Sequence, residues 1–357
     1  MMGFHPRSLA ATLLLVAVAC RPPDSPPGTG SIQDLQPLTP FVDPTIGTGG
    51  HGHVYPGATV PRGMVQLSPD QGKGGWDWIS GYNWEDSLLV GFSHTHLSGT
   101  GIGDLLDILV MPVREYFPVN EAHGDRWDRS ARSRFSHETE EAVPGYYAVD
   151  LEDQGIRAEL TATDRVGMHR YTFPTTREPA LFIDLGYAVN WDAPVTTSIK
   201  VVNDTLLTGY RFSTGWARDQ KVFFALVLSR PIQSVAFAEG TKPLDVLSRK
   251  EVMEGGPRAT SGGLRALLAL PATTGGDQLM VKVGLSYVDE GGALANVRAE
   301  IPHWSFQRVR EEARRAWERE LRKIRIQGGT EEERRIFYTS LYRTRLAPIL
   351  FQDVDRR

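Results

Sequence analysis

The side chains best suited to handle a polar ligand are concentrated between Phe41 and Pro112. This stretch contains VDPTIGTGGHGHVYPGATVPRGMVQLSPD, then GWDWISGYNWED, then GFSHTHLSGTGIGDLLDILVMP. It combines a glycine-dense loop, three tryptophans (Trp76, Trp78, Trp84) and two His-x-His pairs, His51/His53 and His94/His96. Glycine lets a backbone turn sharply and approach a ligand closely. Tryptophan faces stack on the apolar C–H faces of pyranose rings, and His, Asp and Asn supply donors and acceptors for hydroxyls. Together these are the parts of a sugar pocket.

Each part also has a plainer account. Histidines two apart would share a face on a strand, where they could ligate zinc as neutral imidazoles, contact or support a substrate, or serve structure alone. Tryptophans are often core residues, but crowding into a polar, Gly-flanked segment favours a ligand role for at least one of them. The run Gly99–Asp104 lacks the lysine and the βαβ context of a phosphate-binding loop and reads as a tight connection. Asp77, Glu85, Asp86, Asp104 and Asp107 are nearby carboxylates, for which solvation or structural hydrogen bonding is the favoured account.

The elements that must hold these residues are mainly β. In Ile156–Ala162 the apolar residues occupy every second position, as in a half-buried strand. Leu181–Leu185, Thr205–Tyr210, Val222–Leu228, Leu264–Leu270 and Leu279–Val288 read as further short strands, separated by Gly, Pro, Asn or Asp. Many strands without interleaved helices predict a large β-sandwich over residues 41–289, with long decorated loops between Gly47 and Gly145. Residues 290–328 read as linker helices. Phe306, Val309, Ala313, Trp317, Leu321 and Ile324 recur at helical steps. Gly328–Gly329 breaks that pattern, and Thr330 with Glu333 forms a capping box for a second helix carrying Ile336, Phe337, Leu341 and Tyr342 on one side. Residues 329–357 read as the opening of a helical domain whose apolar faces, from about residue 328 onward, lack partners.

Composition narrows the function. With 39 Lys and Arg against 43 Asp and Glu, the net charge of −4 and the absence of a basic run argue against nucleic acid. The apolar run Leu9–Ala19 is too short to span a bilayer, and residues 1–19 read as a signal peptide. It ends in small residues before Cys20, the sole cysteine, and so looks like a bacterial lipobox. That implies cleavage before Cys20, acylation of its thiol and a lipid-anchored protein of the bacterial cell envelope, in periplasm or outer membrane. A plain secretory signal is the other reading. Residues 20–40, rich in Pro, Gly and Ser, read as the lipidated cysteine and a flexible tether.

The Phe41–Pro112 stretch resembles the opening of glycoside hydrolase family 92. The likeness continues through Phe135–Glu138, Pro144–Val149, Glu159–Thr163, Phe337–Tyr342 and Asp353–Asp355. The resemblance implies a calcium-dependent, inverting exo-α-mannosidase acting mostly on α-1,2 linkages, built from an N-terminal β-sandwich and a C-terminal α/α barrel with the active site between them. It implies that Trp76 or Trp78 contributes to a mannose pocket, that His94 and His96 line or support it, and that Asp353 or Asp355 binds a sugar hydroxyl. The general acid, general base and calcium ligands are expected beyond Arg357, so no catalytic residue and no metal ligand is assigned within the chain. A mannose-containing glycan is the expected partner. Two other functions remain open: a non-catalytic mannoside-binding surface lipoprotein, and a metal-dependent hydrolase using the His-x-His pairs.

Overall fold

Alternation along the strands builds two antiparallel sheets that face each other. The computed structural model describes residues 36–117 and 130–357; the signal, Cys20 and most of the tether lie outside them. One sheet has eight strands in the order Ala58–Thr59, Gln66–Asp70, Gly91–Ser93, Leu109–Val113, Ala180–Asp184, Leu264–Ala269, Ser234–Glu239, Lys242–Leu247. The other has nine, in the order Arg258–Ser261, Ala193–Asn203, Leu206–Thr214, Gln220–Leu228, Gln278–Ser286, Val166–Thr172, Ile156–Ala162, Tyr146–Leu151, Glu141–Val143. Leu88–Leu89 and Ser133–Arg134 form a small separate pair. The molecule is mainly β, as its pattern predicts.

The central strands of the nine-stranded sheet are buried on both faces, and their side chains divide accordingly. Ile156, Ala158, Leu160 and Ala162 face the other sheet and join the main core. Tyr147, Val149 and Leu151 do the same, whereas Tyr146 and Ala148 between them pack on the opposite side, with Val166, Met168 and Ala225. That outer face is covered by helices. A short helix, α1 (Arg249–Glu254), lies within the strand region; α2 (Glu290–Glu300), α3 (Phe306–Leu321) and α4 (Glu331–Arg343) follow it. Ala293, Val297, Ile301, Phe306 and Val309 from α2, α3 and the turn between them complete the second core.

The helical periodicity of α3 holds from Phe306 to Leu321, but the helix ends there, and Ile324 lies beyond it, exposed. For α4 the capping box is present as predicted. Its buried face differs from the expected one: Tyr338, Leu341 and Tyr342 are buried, while Ile336 is exposed.

The expectation that this helix lacks a partner is also overturned. Tyr338, Leu341 and Tyr342 pack with Leu38, Val42, Tyr55, Trp317 and Leu321 in a third core. The chain's own N-terminal segment fills the gap. The Glu318 carboxylate accepts from the backbone N–H groups of Leu38 and Thr39 at 3.0–3.1 Å. The Arg343 guanidinium donates to the carbonyls of Tyr55, Pro44 and Ile46. Contacts so distant in sequence leave no local periodic signal. Among the described residues no helix is long and apolar enough to cross a membrane.

Candidate functional site

Three loops meet at one end of the sandwich. The first, Gly47–Val54, makes its turn with Gly47 and Gly50 at positive φ. At Gly52 a Cβ would fall 1.8 Å from the carbonyl oxygen of Gly47, so only glycine fits. His51 and His53 therefore stand in a turn, not on a strand; His51 is exposed and His53 is buried, with their ring centroids 6.3 Å apart. The second loop is the 3-10 turn Trp76–Trp78. Asn83, buried, donates to the carbonyls of both Gly50 and Asp77 and so holds these two loops together. The third carries Asn190, whose side-chain amide bonds both the N–H and the carbonyl of Gly75.

Trp76 is 52% exposed and packs against the edge of His53, ring centroids 4.7 Å apart. Trp78 is half-buried, with the Lys73 ammonium 4.2 Å from its ring centre. Trp84 belongs to another contact, stacked 3.7 Å from the His137 ring.

Beside Trp76 opens a cleft of about 510 Å³ lined by Ile102, Trp191, Ala193, Thr214, Gly215 and Trp216. Trp191 and Trp216 are 53% and 74% exposed, and the backbone N–H of Trp191 donates to the carbonyl of Gly103. Aromatic faces left open beside backbone carbonyls and a threonine are what a pyranose needs. Neither of these two tryptophans was among the sequence candidates. The cue was present: Asn190–Trp191–Asp192 and Gly215–Trp216 set tryptophan among turn residues, as in GWDW.

Ionic contacts hold the segments that flank this cleft. The Arg211 guanidinium, fully buried, donates to Asp107 at 2.7 Å and to Asp192, and to the carbonyls of Leu185 and Tyr187. Asp107 also accepts from Thr95 and Gln220, each at 2.7 Å. Burial raises the Asp192 pKa against the pull of Arg211. Asp104 accepts from the N–H of Ala217. These carboxylates fix the loops that carry Trp191 and Trp216. Asp77 pairs instead with His51, Nδ1 to Oδ1 at 2.5 Å.

The remaining candidates brace the fold. His94 and His96 are enclosed between the sheets. His94 Nδ1–H donates to the Ile108 carbonyl and its Nε2 meets His169. His96 Nδ1–H donates to the Gln66 carbonyl, and its Nε2 faces Asp70 at 3.2 Å and Ser93 at 3.3 Å. With both ring nitrogens of each occupied inside the protein, they support the neighbouring loops and do not line the cleft. Asp353 is enclosed as well. It is 1% exposed, and its two oxygens accept from Ser286 and Asn296, which ties it to α2 and to the last strand of the nine-stranded sheet. Asp355 is exposed and paired with Arg357 at 2.7 Å.

Residues 41–286 match the Glycosyl hydrolase family 92 N-terminal domain, and residues 292–357 match the Glycosyl hydrolase family 92 catalytic domain. The chain belongs to glycoside hydrolase family 92. Among solved structures it is similar to a family 92 α-mannosidase from Bacteroides thetaiotaomicron, with 34% identity and a TM-score of 0.81, covering 90% of this chain and 43% of that one. The same enzyme has been solved in complex with mannoimidazole. A family 92 inverting mannosidase from the same organism matches at 26% identity with a TM-score of 0.74, covering 89% of this chain and 40% of that one. An uncharacterized secreted glycosidase of Arthroderma benhamiae is 28% identical over 340 residues, covering 86% of this chain and 41% of that protein. The chain thus spans less than half the length of these family 92 relatives.

Proposed function

We propose that this chain is the N-terminal, sugar-contacting part of an α-mannosidase that removes terminal mannose from glycans with inversion. The observation that carries this reading is the cleft lined by Trp191 and Trp216, with exposed Trp76 on the neighbouring loop that Asn190 holds, on a fold similar to named α-mannosidases. An inverting glycosidase needs two carboxyl groups about 6.5–9.5 Å apart, one protonated and one activating water. Asp107 and Asp192 are committed to Arg211, and Asp104 to the N–H of Ala217. Their role is to shape the cleft, and we place the acid and base in the remainder of the family architecture.

Calcium belongs to the same proposal, with its ligands also outside this span. The His51, His53 and Asp77 cluster does not fit calcium: it offers two imidazole nitrogens, and calcium takes six to eight oxygens. For the N-terminus we propose lipidation at Cys20 and placement on the bacterial cell envelope.

Calorimetric titration with methyl α-mannoside tests the cleft. Trp76→Ala and Trp216→Ala are expected to weaken binding by about 2- to 12-fold, since an aromatic contact of this kind is worth roughly 0.5–1.5 kcal/mol, with little change in stability because both rings are exposed. Binding unaffected by either change would remove the tryptophans from the site. Binding without release of mannose from an α-1,2-mannobiose, by any form of the protein that includes its whole family 92 architecture, would favour the non-catalytic mannoside-binding lipoprotein.

A further inference from the structure

We propose that His51, His53 and Asp77 form a binding site for one divalent transition-metal ion, with zinc the best match to their chemistry. One ring nitrogen from each histidine and one carboxylate oxygen lie within 4.8 Å of one another. Two neutral imidazoles and a carboxylate are a zinc donor set, and three protein ligands leave a fourth position for water or a hydroxyl oxygen.

The His51–Asp77 contact alone could be an ordinary ion pair. His53 is the observation that such a pair does not explain. It is 93% buried by its 7% exposure, and its Nε2 is enclosed with no hydrogen-bond partner among the described residues, a state that buried polar atoms seldom occupy. A metal ion would supply the missing partner.

The backbone is built to present this ring. His53 sits at φ 52°, in the left-handed region that non-glycine residues rarely adopt. Its carbonyl accepts from the N–H of Gly99 at 2.7 Å, and its ring is braced by the Trp76 ring. Asn83 acts as a positioning residue by bonding the carbonyls of Gly50 and Asp77, next to two of the three ligands. Closure on the ion requires small shifts: ligand atoms on a tetrahedral zinc stand about 3.3–3.5 Å apart, from Zn–N and Zn–O distances of about 2.0–2.2 Å. His51, exposed, can make them.

The test uses the full chain. Equilibrium dialysis against zinc, read by elemental analysis, is expected to give one ion per chain at micromolar concentration. His51→Ala and Asp77→Asn, both at partly or fully exposed positions, should each weaken that binding at least tenfold while leaving the far-UV circular dichroism unchanged. His303→Ala, remote in sequence, should leave it intact and serves as the control for stray surface histidine. Cobalt loaded in place of zinc should give the intense visible bands of a four-coordinate site, lost in both ligand variants. Zinc binding unchanged in His51→Ala and Asp77→Asn, or no stoichiometric binding at all, overturns the proposal. So does equal competition by calcium, because nitrogen donors discriminate against it. None of these readouts depends on mannoside binding, so failure here and failure of the mannosidase reading are separable.

Discussion

Inside the sandwich His94 Nε2 and His169 Nε2 stand 3.0 Å apart, and the groups around them decide which carries the proton. The Ile108 carbonyl can only accept, so His94 must donate from Nδ1 and leave Nε2 bare. His169 then donates from Nε2, and its bare Nδ1 accepts the Tyr171 hydroxyl at 2.7 Å. The result is a directed chain from Tyr171 through His169 and His94 to the backbone, with both rings neutral. A second proton on His94 would set two N–H groups against each other, and one on His169 would displace the hydrogen that the Tyr171 hydroxyl donates.

Acid should therefore destabilise the protein well before most carboxylates titrate. Burial lowers the His94 pKa to about 3 and lowers that of His169 well below its ordinary value. The unfolded chain takes up these protons near pH 6.5, whereas the folded chain excludes them, so the stability is fully present above that value and is lost as pH falls towards 3. At pH 4.5 His94 alone should cost about 2–3 kcal/mol relative to pH 7. Urea unfolding at the two pH values measures the loss. The ring ¹⁵N shifts should still report neutral imidazoles at pH 4.5, and a charged His94 there would refute the account.

Arg211→Met should be among the most damaging single changes near the cleft. It leaves Asp107 and Asp192 buried without their counter-ion, at a cost of about 3–5 kcal/mol. Adding Asp192→Asn to the same chain should recover part of the loss, because one uncompensated charge is removed. Denaturant midpoints of the single and double variants give the answer; a neutral Arg211→Met would mean that the network is not holding the segments that flank the cleft.

Trp317 fastens the helices to the sandwich: its indole N–H donates to the Thr59 carbonyl at 2.7 Å and its ring packs on Tyr342. Trp317→Phe leaves that carbonyl unpaired, for about 1–3 kcal/mol. Limited proteolysis should find α4 as protected as the strands in the parent chain and cut more readily in the variant. Rapid cleavage within residues 331–343 of the parent would show that the third core does not hold.

For the N-terminus, Cys20→Ser should abolish acylation and release the protein from the membrane fraction. A variant that sediments with membranes as the parent does, even after a salt wash, would exclude the lipid anchor.

The sequence by itself determined the elements whose signals are local. Alternation set the strands, Ile156–Ala162 to the residue, and the Thr330–Glu333 box set the start of α4. The ligand-rich segment was marked by glycine and tryptophan crowding. What each side chain does was decided only by tertiary structure. Trp191 and Trp216 line one cleft from separate loops, and His169, whose tautomer His94 fixes, lies 75 residues from it. That Asp353 meets Ser286 and Asn296 was likewise a matter for the fold alone. Ile336 looked buried until Leu38 and Val42 covered the other side of its helix. Periodicity reports that a face is apolar or a residue polar. Which partner it meets depends on contacts between distant segments, and a single sequence carries no local trace of them.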